Sequence, residues 1–439
     1  SLLPTAVLAT DDETLQDQIT NAQDGSTVTL NDDYTSGIVI PNDKTIILDL
    51  NGHSITSRGT AILNNGNLTI RDTTKAGSIV STGNVGVGVG SDSVTTIEYA
   101  NIDSVEGAVI TSYATGATIT IEDGVFNASD NAVIAGNGTK RDGEPNTINI
   151  TGGTFNGTIK SDGYIACGIY APWQDNITVS DGTFNITGGA GIVARAGNVT
   201  VTGGTFNVTG NTTGWVGDNK NSVPSSALVF DSNANYPAMT DKSKISVNGG
   251  TFNSDVAAIS VVKDTDASRI SVTEGAFSDL TSAIAYAADS AIIKLANDTT
   301  EAIVIPAGKE ITLDLNGHEI VDSADAQNNS VEEASRKNTI TNNGTLTIID
   351  SVGTGVVDNV SHGRAAVYNN GDLTIAGGKI TRSVDVAPAF RADPKTNSWY
   401  VVYNAKDATM TIKGGEIIGN STYSSCVCNL GNATVSGGT

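Results

Sequence analysis

Basic residues are scarce: 24 Lys and Arg stand against 47 Asp and Glu in 439 residues, a net charge of −23. Such a field repels phosphate backbones and anionic bilayers, which excludes nucleic acid as a partner. Cysteine is nearly absent. Cys167, Cys426 and Cys428 cannot build a disulfide framework, and no Cys/His group has zinc spacing. The C-x-C pair reads as two small residues on one face of a strand, or as a bridge or redox pair. No apolar run reaches the ~18 residues of a membrane span. No cofactor and no metal is expected. The opening SLLPTAVLA, residues 1–9, reads either as the end of a signal peptide or as an attachment arm.

What is plentiful is glycine, 49 residues of it, with Asn and Thr, the material of short strands joined by tight turns. A phrase recurs as DGVFN (123–127), GGTFN (152–156), DGTFN (181–185), GGTFN (203–207) and GGTFN (249–253), then decays to EGAFS (274–278). Its central glycine falls at 124, 153, 182, 204, 250 and 275, in steps of 29, 29, 22, 46 and 25. The long step is one coil with a large insertion, or two coils. Before each phrase runs an alternating segment such as ATITI, NTINI, NITVS, NVTVT or KISVN, the period-two pattern of a strand with one buried face. One strand, a glycine bend, a second strand whose Phe points inward and a variable loop make one rung of a parallel β-solenoid, which is stable only when stacked. The expected fold is all-β.

Two segments break the pattern and read as short capping helices. The first, 10–25, has Thr10 as N-cap, Glu13 as its capping-box partner and Leu15 and Ile19 on one face; the second, 278–290, has Leu280, Ile284, Ala287 and Ala288 apolar. After each comes the same sentence, GIVIPNDKTIILDLNGHSI and AIVIPAGKEITLDLNGHEI. The chain is therefore a tandem duplication: an arm at 1–9, a first unit at 10–278 and a second at 279–439. His53 and His318 take matching positions, so Asn51, Gly52, His53 and Asn316, Gly317, His318 read as structural turns that mark the start of a solenoid, each imidazole bonding to turn backbone. His362 sits in a Gly-flanked turn without a nucleophile motif or metal-ligand partner.

The segments NNGNLTIRD, NNGTLTIID, AVYNNGDLTIAGGKI and YVVYNAKDATMTIKGGEI, with the two DLNGH sentences, resemble right-handed parallel β-helix repeats of pectate-lyase-like architecture. Such repeats occur in large surface proteins of gut Gram-positive bacteria and in fibres of their phages. The resemblance spans about 10–439 and implies a right-handed parallel β-helix in an extracellular setting, on a cell or virion surface. Its enzyme branch implies basic lyase clusters, or carboxylate pairs for hydrolysis. Neither a basic lyase cluster nor the clustered Asp triad typical of the polygalacturonases is visible here, and the candidate acids, Asp123, Asp181, Asp350 and Glu274 among them, are single acids mostly beside Gly, where they cap turns.

The irregular segments 158–176, 208–244 and 381–404 hold all three tryptophans, Trp173, Trp215 and Trp399. Aromatic rings on loops offer flat faces to sugars, or else plug their loops onto the solenoid wall. The ligand-binding candidates are Tyr170, Trp173, Trp215, Tyr236, Trp399 and Tyr400; Tyr164 lies among them. The reading is a non-enzymatic surface adhesin or fibre segment that contacts host or microbial glycan or protein; the alternatives are a polysaccharide-degrading enzyme and a purely structural filament or phage appendage subunit. The last residues, NATVSGGT, stop within the repeat phrase, so the chain continues past Thr439, or a neighbour covers that rung, with residues 1–9 serving a head-to-tail contact.

Overall fold

The computed structural model describes residues 13–139, 142–158, 166–211, 223–232, 238–262, 267–322, 337–360, 363–383, 400–419 and 425–439. Residues 1–9, Thr10, Tyr164, Trp215, Tyr236, His362 and Trp399 lie outside them. The chain divides into two compact units, Ser1–Ser271 and Val272–Thr439. The division falls a little before Ser278 because Ile270–Phe277 pairs in parallel with Ala287–Leu295, the strand that follows the second helix. Among the described residues no helix is long and apolar enough to cross a membrane.

The fold is an all-β parallel β-helix. In the first unit a coil visits three parallel faces in turn, as in Thr45–Asp49, Ser54–Ser57 and Ile62–Asn64. The next coil lands in register on it, with Ile46 on Leu68, Ile55 on Ile79 and Ile62 on Val87. Alternate residues point inward, and those inward positions are buried. The third face carries nine strands, from Ile38–Ile40 to Ile259–Val262.

The repeat phrase occupies the second face. Phe126, Phe155, Phe184, Phe206 and Phe252 are buried, and consecutive rings stack with centroids 4.4 to 5.4 Å apart. Phe206 pairs directly with Phe252, so the 46-residue step is a single coil carrying an insertion. The glycine before each strand bends the chain with positive φ, 100° at Gly153 and 115° at Gly182, a region that favours glycine. On the outside, the Asn of each phrase donates to its predecessor: Asn127 to Asp103 (2.5 Å), Asn156 to Asn127 (2.8 Å), Asn185 to Asn156 (3.0 Å), Asn207 to Asn185 (3.0 Å) and Asn253 to Asn207 (2.9 Å).

Each unit has its short helix, though not quite as the sequence suggests. Helix α1 (Leu15–Asn21) is capped by Thr14 with Asp17 closing the capping box, instead of by Thr10 with Glu13. Both pairs have the right spacing, but only Thr14 brings Leu15 and Ile19 inward, where they are buried. Gln16 receives Val39 N–H (2.8 Å) and donates to Val39 C=O (2.9 Å), so a side-chain amide takes the place of a strand neighbour. Helix α2 (Leu280–Ala285) is capped by Asp279, buries Leu280 and Ile284, and gives the N–H groups of Leu280 and Thr281 to Glu301, both at 3.0 Å. Ala287 and Ala288 belong to the following strand and not to the helix. Matching lysines donate to the segment after each helix, Lys44 to Ala22 C=O at 2.8 Å and Lys309 to Ala287 C=O.

The second unit repeats the three-faced coil and lines its third face differently. Asn342, Asn369, Asn404 and Asn429 form an internal ladder, each amide donating to the next at 2.8, 2.7 and 2.7 Å. Asn342, Asn369 and Asn404 are fully buried. Asn342 and Asn369 also accept the N–H of the glycine two residues on, at 3.1 Å in both cases, so one residue type satisfies the turn and links the rungs. Cys426 and Cys428 are unbridged.

Candidate functional site

The repeated DLNGH turn is built from carboxylates. Asn51 and Gly52 have φ of 48° and 85°, Asn316 and Gly317 of 50° and 80°, and the turn closes through His53 N–H to Leu50 C=O and His318 N–H to Leu315 C=O, both 2.8 Å. Asp49 accepts the N–H groups of Asn51 and Thr73; Asp314 accepts those of Asn316 and Ser351. Asp72 from the next coil accepts Gly52 (2.9 Å) and Gly77 (2.6 Å), and Asp350 does the same for Gly317 (2.9 Å) and Gly355 (2.6 Å). The imidazoles face carboxylates, not the turn backbone: Nδ1 of His53 is 3.6 Å from Asp33 and that of His318 is 3.2 Å from Asp298. The aspartates already take the N–H groups of the turn, which leaves the ring no donor there. With each ring about one-third exposed, His318→Ala is expected to lower stability by no more than ~1 kcal/mol in urea unfolding. A larger loss would give the ring a structural weight that the geometry denies it.

Burial works against ionisation of Asp72 and Asp350, but their hydrogen bonds, those from Gly77 and Thr74 and from Gly355 and Gly317 among them, outweigh it and hold both below the usual carboxylate range. A depressed native pKa contributes stability that is complete above the unfolded value and is lost as pH falls through the native one. The melting temperature should therefore drop below about pH 4, and the Asp72→Asn/Asp350→Asn double variant should show a shallower drop. Parallel profiles would rule this out.

The other candidate acids have structural partners as well. Asp123 accepts Gly124 N–H (2.8 Å) and pairs with Lys75 (3.2 Å), Asp181 accepts Gly182 N–H (2.7 Å), and Glu274 pairs with Lys294 (2.6 Å). Among the described residues no group of three or more His, Cys, Asp or Glu could hold a metal ion.

The irregular segments are where the first unit departs from a plain ladder. On its third face the outward column Ile110, Ala135, Tyr170, Val193 and Val229 stacks in register, and Val223 packs against it. Tyr170 is no free platform: its hydroxyl accepts Arg195 Nη1 at 2.8 Å, and Arg195 Nε lies 2.6 Å from Asp231. Arg195 and Asp231 are 4% and 1% exposed, a buried ion pair. Cys167 beneath them is buried, and burial pushes its thiol pKa far up despite the nearby Arg195, which leaves it a packing residue.

Trp173 is also a plug. It is 2% exposed and packs on Ala196, Ala238 and Met239, so neither ring face is open to a ligand. Its neighbour Gln174 donates to Ala238 C=O at 3.2 Å. Ser243 Oγ donates to Ala196 C=O (2.8 Å) and accepts Thr240 N–H (2.9 Å), while Arg269 donates to the carbonyls of Thr240 (2.8 Å) and Ser243 (3.0 Å). Together they fix residues 238–243 as a wall. Between that wall and the strand starts at Asn176 and Asn198 lies a cleft of about 420 Å³, lined also by Pro145, Gln174 and Ala196, with Thr240, Asp241 and Lys242 contributed by the wall. The sequence pointed to these segments through their tryptophans. The polar lining went unread because Asn at a strand start looks the same whether its amide is engaged in a ladder or open.

In the second unit Tyr368 and Tyr403 occupy the outward column with Val304, Thr341 and Cys428. Their rings stack at 4.8 Å and 6°, and Tyr400 meets Tyr403 at 5.8 Å and 52°. All three are half-buried. Of the aromatic candidates, Tyr400 thus joins an outward cluster, Tyr170 is tied to the buried Arg195–Asp231 pair, and Trp173 holds the wall. Comparison with family models, with curated proteins and with solved structures finds no match to this chain.

Proposed function

We propose that the chain is a non-catalytic surface adhesin or fibre segment, extracellular, in which a stiff β-helix carries loop-borne binding sites for host or microbial surface glycan or protein. The observation that carries this reading is the convergence of two irregular segments on one preformed cleft, on a scaffold of stacked parallel strands. Recognition residues belong on loops that a rigid framework positions. The engagement of Asp72, Asp123, Asp181, Asp350 and Glu274 in turns and ion pairs supports a binding role over hydrolysis, which needs two carboxyl groups ~5 to 9.5 Å apart across a substrate. Incubation with a panel of polysaccharides, read for new reducing ends and for unsaturated uronates, tests it together with a binding array of surface glycans and proteins. Array binding without product is expected. Product formation would replace the adhesin with an enzyme, and silence on both would leave a structural filament subunit.

A further inference from the structure

The cleft beside Trp173 can be compared with a second groove in the same unit, because both are lined by asparagine. That groove, about 490 Å³, runs over Ser81, Asp103, Ser104, Asn127 and Asn156. Its amides are engaged: Asn127 donates to Asp103 and accepts from Asn156, which in turn accepts from Asn185. The cleft is different. There Asn198 Nδ2 donates to Asn176 Oδ1 at 3.2 Å and Gln174 Nε2 to Ala238 C=O. Among the described residues the Asn176 amide NH₂, the Asn198 and Gln174 amide oxygens, the Asp241 carboxylate and the Lys242 ammonium make no hydrogen bond within the protein.

We infer that this cleft binds an uncharged saccharide of about disaccharide size, held by the amides of Gln174, Asn176 and Asn198 and by Lys242. The inference rests on the reading of the chain as a binding scaffold. Amides that both donate and accept, spaced along consecutive strand starts, match vicinal hydroxyls, each of which also donates and accepts. Pro145 gives an apolar contact for a sugar's CH face, and the volume falls within the ~300–1,000 Å³ usual for small-molecule sites. The charge argues against an anion: one ammonium is offset by Asp241 beside it, on a chain of net charge −23. Because Ser243, Arg269 and Trp173 hold the wall in place without ligand, little ordering cost falls on binding.

The test is calorimetric or NMR titration of the full chain with neutral disaccharides (maltose, cellobiose, chitobiose, galactobiose) and anionic ones (digalacturonate, sialyllactose). At least one neutral disaccharide is expected to bind. Asn198→Leu, which fills the cleft from a strand position, should weaken it at least tenfold, and Lys242→Ala, whose ammonium makes no hydrogen bond or ion pair among the described residues, about threefold to tenfold, with Tyr403→Ala unchanged and melting temperatures checked for each. Neutral binding that survives both cleft variants would place the sugar elsewhere and overturn the assignment. Preference for the anionic sugars in the same cleft, or binding to no disaccharide at all, would overturn the ligand class. Neither result touches the adhesin reading, which falls only on the polysaccharide and array outcomes above.

Discussion

Replacing Trp173 by alanine should destabilise the first unit by ~3–5 kcal/mol, the usual cost of deleting a buried large aromatic. The ring is the common packing partner of Ala196 and of the adjacent Ala238 and Met239, two places that the sequence sets far apart. Its loss opens a cavity under the wall, so hydrogen exchange of residues 238–243 should rise together with the fall in unfolding midpoint. Trp173→Phe should lose much less. Were alanine to cost under ~1 kcal/mol while abolishing ligand binding, the ring would be a sugar platform after all, and its burial would have to be transient.

Asp231→Ala is the second large effect, also ~3–5 kcal/mol, because it leaves the Arg195 guanidinium in the interior without its carboxylate. A buried ion pair contributes little over an apolar replacement of both partners, whereas half of one is costly. The Arg195→Met/Asp231→Leu double variant should therefore be more stable than Asp231→Ala alone. Tyr170 reports the same network: its hydroxyl accepts from Arg195, so the loss of one partner should broaden its NMR signals. A double variant as unstable as the single one would mean that packing around the pair, not charge, sets the cost.

The solenoid was legible because its determinants are local and repeated. Alternation in TITI, TINI, NITV and NVTV is a strand signal in each copy, and the phenylalanines from Phe126 to Phe252 fall on the same buried column. Sequence alone left the 46-residue step open; the pairing of Phe206 with Phe252 closes it, since register is a property of two coils and not of one. The N-cap was misplaced by four residues because Thr10-x-x-Glu13 and Thr14-x-x-Asp17 have equal spacing, and the choice between them depends on which turn seats Leu15 and Ile19 on the core. Trp173 could be read as plug or platform until Ala238 was seen against it. The internal asparagines 342, 369 and 404 sat in the NNG and YNA words that carried the family resemblance, yet nothing in those words says whether an Asn points in or out.

Strict stacking has a metrical consequence. Coils in register advance by about 4.8 Å each, and in the first unit the strand that precedes the cleft, Cys167–Ala171, is the sixth of the nine on the third face, counted from the one that Gln16 closes. The cleft thus stands some five graduations from the helical end, about 24 Å along a ruler that can be lengthened only in whole marks. Insertions such as the one inside the 46-residue coil leave that height unchanged, because they leave the chain and rejoin it at the same mark. A lineage of such proteins can vary the site by editing a loop and its reach by copying a rung, two changes that do not interfere.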